Sequence, residues 1–200
     1  TATTEIYTLS LHDALPIYGL ADFGENRVQD LVLKQSQYPQ VRWHMIGRLQ
    51  TNKVKDVIGR AFLIHSLDRW SLAEYIEKRA EKEKTVVSAL LQVNVSGEKS
   101  KTGVAPREVP DFLDAVSRFN YLRVLGLMTM APEVDDPEET RPVFKELRRI
   151  FDICKESKYP RVEMRYLSMG MTQDFEVAIE EGANMVRIGR ALFDPGFKEV

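Results

Sequence analysis

From residue 22 onward, short apolar runs alternate with stretches whose apolar residues recur at three- and four-residue spacing. The runs at 22–24, 41–46, 61–65, 86–95, 122–130, 162–167 and 185–188 read as strands. Between them, Val28, Leu31 and Val32 mark a helical stripe, as do Val54, Val57 and Ile58. Further stripes are Leu72, Ile76 and Ala80, then Val109, Phe112, Leu113 and Val116, then Phe175, Ala178 and Ile179. The helix after 122–130 is expected to open on Asp136-Pro137-Glu138-Glu139, with aspartate as cap, proline in the first position and glutamate in the third. Its inner face is Val143, Leu147, Ile150, Phe151 and Cys154, and Gly182 is expected to stop the helix after 162–167. Seven strands result, six of them followed by long helices. Strict alternation of this kind argues a parallel sheet. Seven is one short of the eight-stranded barrel, and counting alone leaves an open doubly wound sheet available. No GxGxxG follows any strand, which removes most of the support for a dinucleotide fold.

Residues 1–17 do not continue this rhythm. They are expected to be a non-native leader, with 18–200 as a single barrel domain. Residues 5–11 nevertheless alternate polar and apolar side chains, so they can imitate a strand and fill an empty first slot. With that slot empty, the barrel would stay open and present two free strand edges.

Composition excludes several function classes. A net charge of −2 recommends neither a nucleic acid nor an anionic membrane as partner. One cysteine, Cys154, permits no intrachain disulfide and no cysteine-rich zinc site; its apolar helical phase makes it a buried thiol. His12, His44 and His65 lack metal-ligand spacing, so no metal site is expected. No apolar run approaches the ~18 residues of a membrane helix, and the opening residues do not read as a signal peptide. A cytoplasmic monomer is the expectation.

Four segments at strand ends carry unusual residues, and in a βα barrel those ends build the active site. Phe23-Gly24-Glu25-Asn26 offers a glycine and a capping asparagine. Trp43-His44-Met45-Ile46-Gly47 places a histidine in a strand; a satisfied core histidine explains it equally. Leu167-Ser168-Met169-Gly170-Met171-Thr172 sets hydroxyls and a glycine before a helix, which suits an anion or a plain cap. In Met185-Val186-Arg187-Ile188-Gly189-Arg190, Arg187 shares a strand face with Met185 and needs a partner or a ligand. If one strand is missing at the front, the last two loops follow strands seven and eight, where such barrels hold phosphate. Residues 97–103 resemble a P-loop only superficially and read as a mobile polar loop.

Taken together, Phe23-Gly24-Glu25-Asn26, His44-Met45-Ile46-Gly47 with Leu49-Gln50 and Asn52-Lys53, Gly126-Leu127-Met128, Leu167 to Met171 and Val186-Arg187-Ile188-Gly189 resemble the pyridoxal-phosphate homeostasis proteins, in order and at family spacing. That family is similar to the N-terminal barrel of alanine racemase. The resemblance implies a TIM-type (β/α)8 barrel whose first strand and flanking helices are missing or replaced here. It implies pyridoxal 5'-phosphate (PLP) as ligand, held without catalysis. Ser168, the loop of Met169, Gly170 and Met171, Gly189 and Arg190 would bind the phosphate. Arg187 would lie against the pyridine nitrogen, with Asn26 and His44 lining the pocket. The family's Schiff-base lysine belongs on the first strand, in a stretch resembling Val-Ser-Lys-Thr. Residues 1–22 contain no lysine, and Lys34, Lys53 and Lys55 fall on or near helices. The expectation is a PLP carrier without its covalent anchor. A binding-defective barrel remnant and a racemase-like enzyme are the alternatives.

Overall fold

Successive side chains along a strand face opposite ways, and this chain buries both faces. Leu63, Leu90, Leu125, Met128 and Met185 form one buried apolar cluster, with Ile46 and Tyr166 packed against it. Phe23, Trp43, Met45, Ile64, Ala89, Leu91, Val124 and Val186 belong to a second, larger one shared with the helices. Two apolar layers with a sheet between them are what a barrel wrapped in helices requires.

The computed structural model describes residues 4–8 (backbone), 20–98, 100–157 and 159–193. The strands are β1 Thr4–Thr8, β2 Asp22–Glu25, β3 Arg42–Met45, β4 Leu63–Leu67, β5 Val87–Gln92, β6 Leu122–Met128, β7 Val162–Met171 and β8 Met185–Ile188. All pair in parallel in sequence order, and the sheet closes. Closure comes from β1, whose Thr4, Glu5, Ile6 and Tyr7 pair with Met185 to Ile188, while Tyr7 and Thr8 pair with Phe23 and Gly24. The first slot is therefore filled by a replacement strand from the segment expected to be able to imitate one, and the open barrel that an empty slot would have left does not arise. The strand lies at Thr4–Thr8 rather than 5–11; residues 9–11 fall outside the described ones.

The helices are α1 Val28–Gln37, α2 Val54–Val57, α3 Trp70–Glu83, α4 Val109–Val116, α5 Arg141–Glu156, α6 Phe175–Glu180 and α7 Arg190–Phe193. The expected stripes lie on them, but not all six helices are long. α2 is a single turn and α6 has six residues. α5 carries the expected inner face, with Cys154 buried and Phe144 added at 0% exposure. The Asp136 carboxylate does accept the Glu138 N–H at 3.0 Å, yet residues 137–140 make a tight turn first and α5 starts at Arg141. Of the stretch 97–103, Lys99 lies outside the described residues; the Asn94 amide donates to the carbonyls of Glu98 and Lys101, and the Gln92 amide to that of Thr102.

Candidate functional site

Period-2 alternation turns Asp22 and Gly24 of β2 inward and Phe23 and Glu25 outward. Phe23 meets the Trp43 ring, at 5.7 Å between centroids. Glu25 forms a buried ion pair with Lys34 of α1. Lys34 thus belongs to the helix layer, which fits its reading as no substitute for a lysine inside the barrel. The loops after β2 and β3 then pack backbone against backbone. A Cβ at Gly47 would stand 2.1 Å from the Asn26 carbonyl oxygen, so only glycine fits there. Asn26 itself is exposed at the strand ends.

Inside the barrel, polar side chains from five strands meet. The Asp22 carboxylate takes two hydrogen bonds from Arg42, at 2.6 and 2.5 Å, and lies 3.0 Å from His44 Nε2. His44 Nδ1 lies 3.0 Å from His65 Nε2, and His65 Nδ1 lies 3.2 Å from the Ser168 hydroxyl. Arg187 donates from Nη1 to that hydroxyl at 2.7 Å and from Nη2 to the Thr129 carbonyl at 3.0 Å. His44, His65 and Ser168 are fully buried. Among the described residues, no buried side-chain nitrogen or oxygen lacks a partner.

Burial dominates the electrostatics. It lowers the pKa of His44, against the pull of Asp22, and that of His65 well below the ordinary value, so both rings are neutral. Burial lowers Arg187 to about 10, which leaves it charged at neutral pH. Asp22 goes the other way: burial alone would raise it, but the hydrogen bonds from His44 and Arg42 outweigh that and hold it at about 2. The charge of Arg42 adds to those hydrogen bonds in keeping the carboxylate ionised.

Arg187 occupies the inward face of β8 beside Met185, as its spacing predicts, and is 7% exposed. Its hydrogen-bond partners are neutral, and among the described residues it joins no ion pair. Gly170, with φ of +92°, brings the end of β7 against α6, where a Cβ would meet Ala178 Cβ at 2.6 Å. Met169 is buried in the outer layer, so only its backbone can face a ligand. The Met171 N–H donates to the Asp174 carboxylate at 2.6 Å, and the Gly189 N–H to the Thr172 hydroxyl at 3.2 Å. Burial raises the Asp174 carboxyl, opposed by the Met171 N–H. Arg190 is exposed, bonded to Gln173 and 3.5 Å from Glu133.

The structure therefore brings Ser168, Gly170, Met171, Arg187 and Gly189 together where β7 and β8 end. His44 lies deeper, behind His65 and away from the loop at Gly47. The Ser168 hydroxyl is committed to His65 and Arg187 inside the barrel. Sequence reasoning missed Asp22, His65, Thr129 and Asp174 as members of this cluster. For His65 and Asp22 a signal existed: a polar residue at an inward phase of an otherwise apolar strand. A groove of about 580 Å³ on the outer surface runs between α1 and α2, along Val32, Leu33, Lys53 and Arg60, and takes no part in this site.

Comparison with known proteins agrees with the barrel fold. The family model for the alanine racemase N-terminal domain matches residues 7–195. The pyridoxal phosphate homeostasis protein of Aquifex aeolicus (strain VF5) is 48% identical over 177 residues, 88% of this chain and 77% of that protein. That of Helicobacter pylori (strain ATCC 700392 / 26695) is 42% identical over 175 residues, covering 86% and 76%. PipY of Synechococcus elongatus PCC7942, solved with PLP bound, superposes with a TM-score of 0.82 at 30% identity, over 96% of this chain and 92% of that one. Alanine racemase of Clostridium difficile 630 shares the fold alone, at 14% identity and a TM-score of 0.74 over 96% of this chain and 51% of that one. An eight-stranded parallel barrel, a matching domain model and close relatives along most of its length place this chain in the pyridoxal phosphate homeostasis protein family, on the alanine racemase N-terminal barrel.

Proposed function

We propose that this chain is a non-catalytic holder of PLP in cofactor homeostasis, binding it without a covalent anchor. The carrying observation is the Arg187 guanidinium, buried near the mouth with only neutral hydrogen-bond partners. A buried cation that no carboxylate contacts directly is costly, by several kcal/mol; Asp174 acts on it only at a distance, and an anionic ligand at the mouth offsets the rest. The relatives named for PLP homeostasis, and the PipY structure with PLP, support the choice of ligand.

The residues present fit the group. Thr172, Gly189, Met171 and Gly170 gather backbone N–H groups and a hydroxyl where β7 and β8 end. A phosphate there would compete with the Asp174 carboxylate for the Met171 N–H, and Arg187 lies close enough to that carboxylate to feel its charge. Arg187 can donate to a ring nitrogen but cannot accept from one, so it would keep a pyridine unprotonated and damp its electron withdrawal. PLP itself supplies an aldehyde and an electron-drawing ring. Holding the ring unprotonated suits storage better than catalysis. β1, Thr4–Thr8, carries no lysine, so a covalent bond from that strand is unavailable.

An absorbance titration with PLP, followed by borohydride reduction and mass spectrometry, tests this. Expected are saturable binding weakened by inorganic phosphate and no reduced adduct on a lysine. Arg187→Gln should weaken binding by about tenfold or more, the value of a hydrogen bond to a charged donor. A single reduced lysine adduct would overturn the non-covalent reading. Absence of any binding would favour the binding-defective remnant.

A further inference from the structure

The buried polar residues of the barrel form one continuous line. It starts at Asp22, which opens β2 at the N-terminal end, and ends at Arg187, near the C-terminal end of β8. Each contact constrains the next. An ionised Asp22 only accepts, so His44 Nε2 must carry a proton and donate to it. His44 is neutral, so its Nδ1 is an acceptor and His65 Nε2 must donate to it. His65 Nδ1 then accepts the Ser168 hydroxyl proton. The Ser168 oxygen keeps its lone pairs for Arg187 Nη1. Reversing the line would aim donors from both His65 and Arg187 at Ser168, the two side chains that contact its hydroxyl among the described residues, and strand the hydroxyl proton.

We infer that Asp22 is a positioning residue for the Arg187 guanidinium: through His44, His65 and Ser168 it fixes the direction of every hydrogen bond between them. Asp22 touches neither His65 nor Arg187. A set tautomer in each ring is what lets a charge at one end of the barrel orient a donor near the other. An apolar residue at position 22 would leave His44 Nε2 without an acceptor and the direction unset. Arg42, half exposed and bidentate on Asp22, keeps the starting charge in place. The consequence for ligand binding rests on the PLP-holder reading above; the consequence for the histidines does not.

The test is side-chain nitrogen NMR of the ligand-free protein at neutral pH, for the parent, Asp22→Asn and Asp22→Leu. The parent should show both buried rings neutral and protonated at Nε2, with the Arg187 N–H groups resolved. Asn keeps an acceptor for His44, so Asp22→Asn should preserve that pattern. Asp22→Leu removes the acceptor, and the Nδ1–H form should then appear at His65 as well as His44, with the Arg187 signals averaging. A parent ring protonated at Nδ1 or at both nitrogens overturns the inference. So does a His65 unchanged in Asp22→Leu. If Asp22→Leu does not fold, the smaller Asp22→Ala is read in its place, and a His65 unchanged there overturns the inference equally. In a parallel PLP titration Asp22→Leu should weaken binding about three- to tenfold and Asp22→Asn less than twofold. A parent that binds no PLP but shows the expected tautomers defeats the holder reading and leaves this one standing.

Discussion

At the scale of single residues, the buried ionisable groups set how the fold answers acid, and their signs differ. Asp22 is held at about 2 in the fold against an ordinary 3.8. It contributes stability at all pH values above 3.8 and loses it as pH falls from there through 2, to about 2 kcal/mol at most. His44 and His65 are held below their ordinary 6.5 by burial, so the unfolded chain takes up protons first. Their contribution is present above 6.5 and declines as pH falls below it. Glu25 and Asp174, raised by burial, act in the opposite direction and lose stability as pH rises through their titration. Urea unfolding at stepped pH should show stability falling below 6.5, with a further acid limb between 3.8 and 2. Asp22→Asn should flatten that lower limb. A lower limb equally steep in both proteins assigns it to other carboxylates.

At the scale of elements, the joins between helix and strand are made by a few side chains rather than by area. Glu77 of α3 is the clearest: its carboxylate accepts the N–H groups of Asn120, Tyr121 and Leu122, at 2.7 to 3.2 Å. These are the residues that lead into β6, so one carboxylate docks α3 onto the start of that strand. Glu77→Ala leaves three donors, those of Tyr121 and Leu122 partly buried, to find water and should reduce stability by about 1–3 kcal/mol, read from the urea midpoint. Glu77→Gln keeps an acceptor oxygen and should recover part of the loss. Equal midpoints for parent and Glu77→Ala would mean that water replaces the carboxylate without penalty. The short α2 and α6 fit the same view. Their helical stripes were legible, but length depends on how much strand surface each must cover.

For the whole molecule, closure is the decisive feature. β1 pairs with β8 over residues 4–7 and with β2 over residues 7–8, so it removes both edges at once. Ile6 pairs with Arg187, and a proline there deletes a ladder donor where the sheet closes. Ile6→Pro should lower stability by about 3 kcal/mol and raise binding of a hydrophobic dye, as two edges and the barrel interior become accessible. Unchanged unfolding and dye binding would mean that β2 and β8 hold the barrel without β1. Among the described residues no helix is long and apolar enough to cross a membrane.

Legible along the chain alone were the βα rhythm, the inward phase of Arg187, the glycine loops after β7 and β8, the burial of Cys154 and the family. Those follow from local periodicity and from residue types that only certain backbone shapes accept, as Gly47 shows against Asn26. Tertiary structure decided the rest. Whether Thr4–Thr8 could close the barrel depended on ladder partners more than 170 residues away at β8. The position of His44 depended on register: an inward phase said which way it points, not how deep it lies. The line from Asp22 through His44, His65 and Ser168 to Arg187 joins residues up to 165 positions apart. It exists because strand tilt and register in a closed barrel stack inward side chains from different strands, which no spacing along one chain encodes.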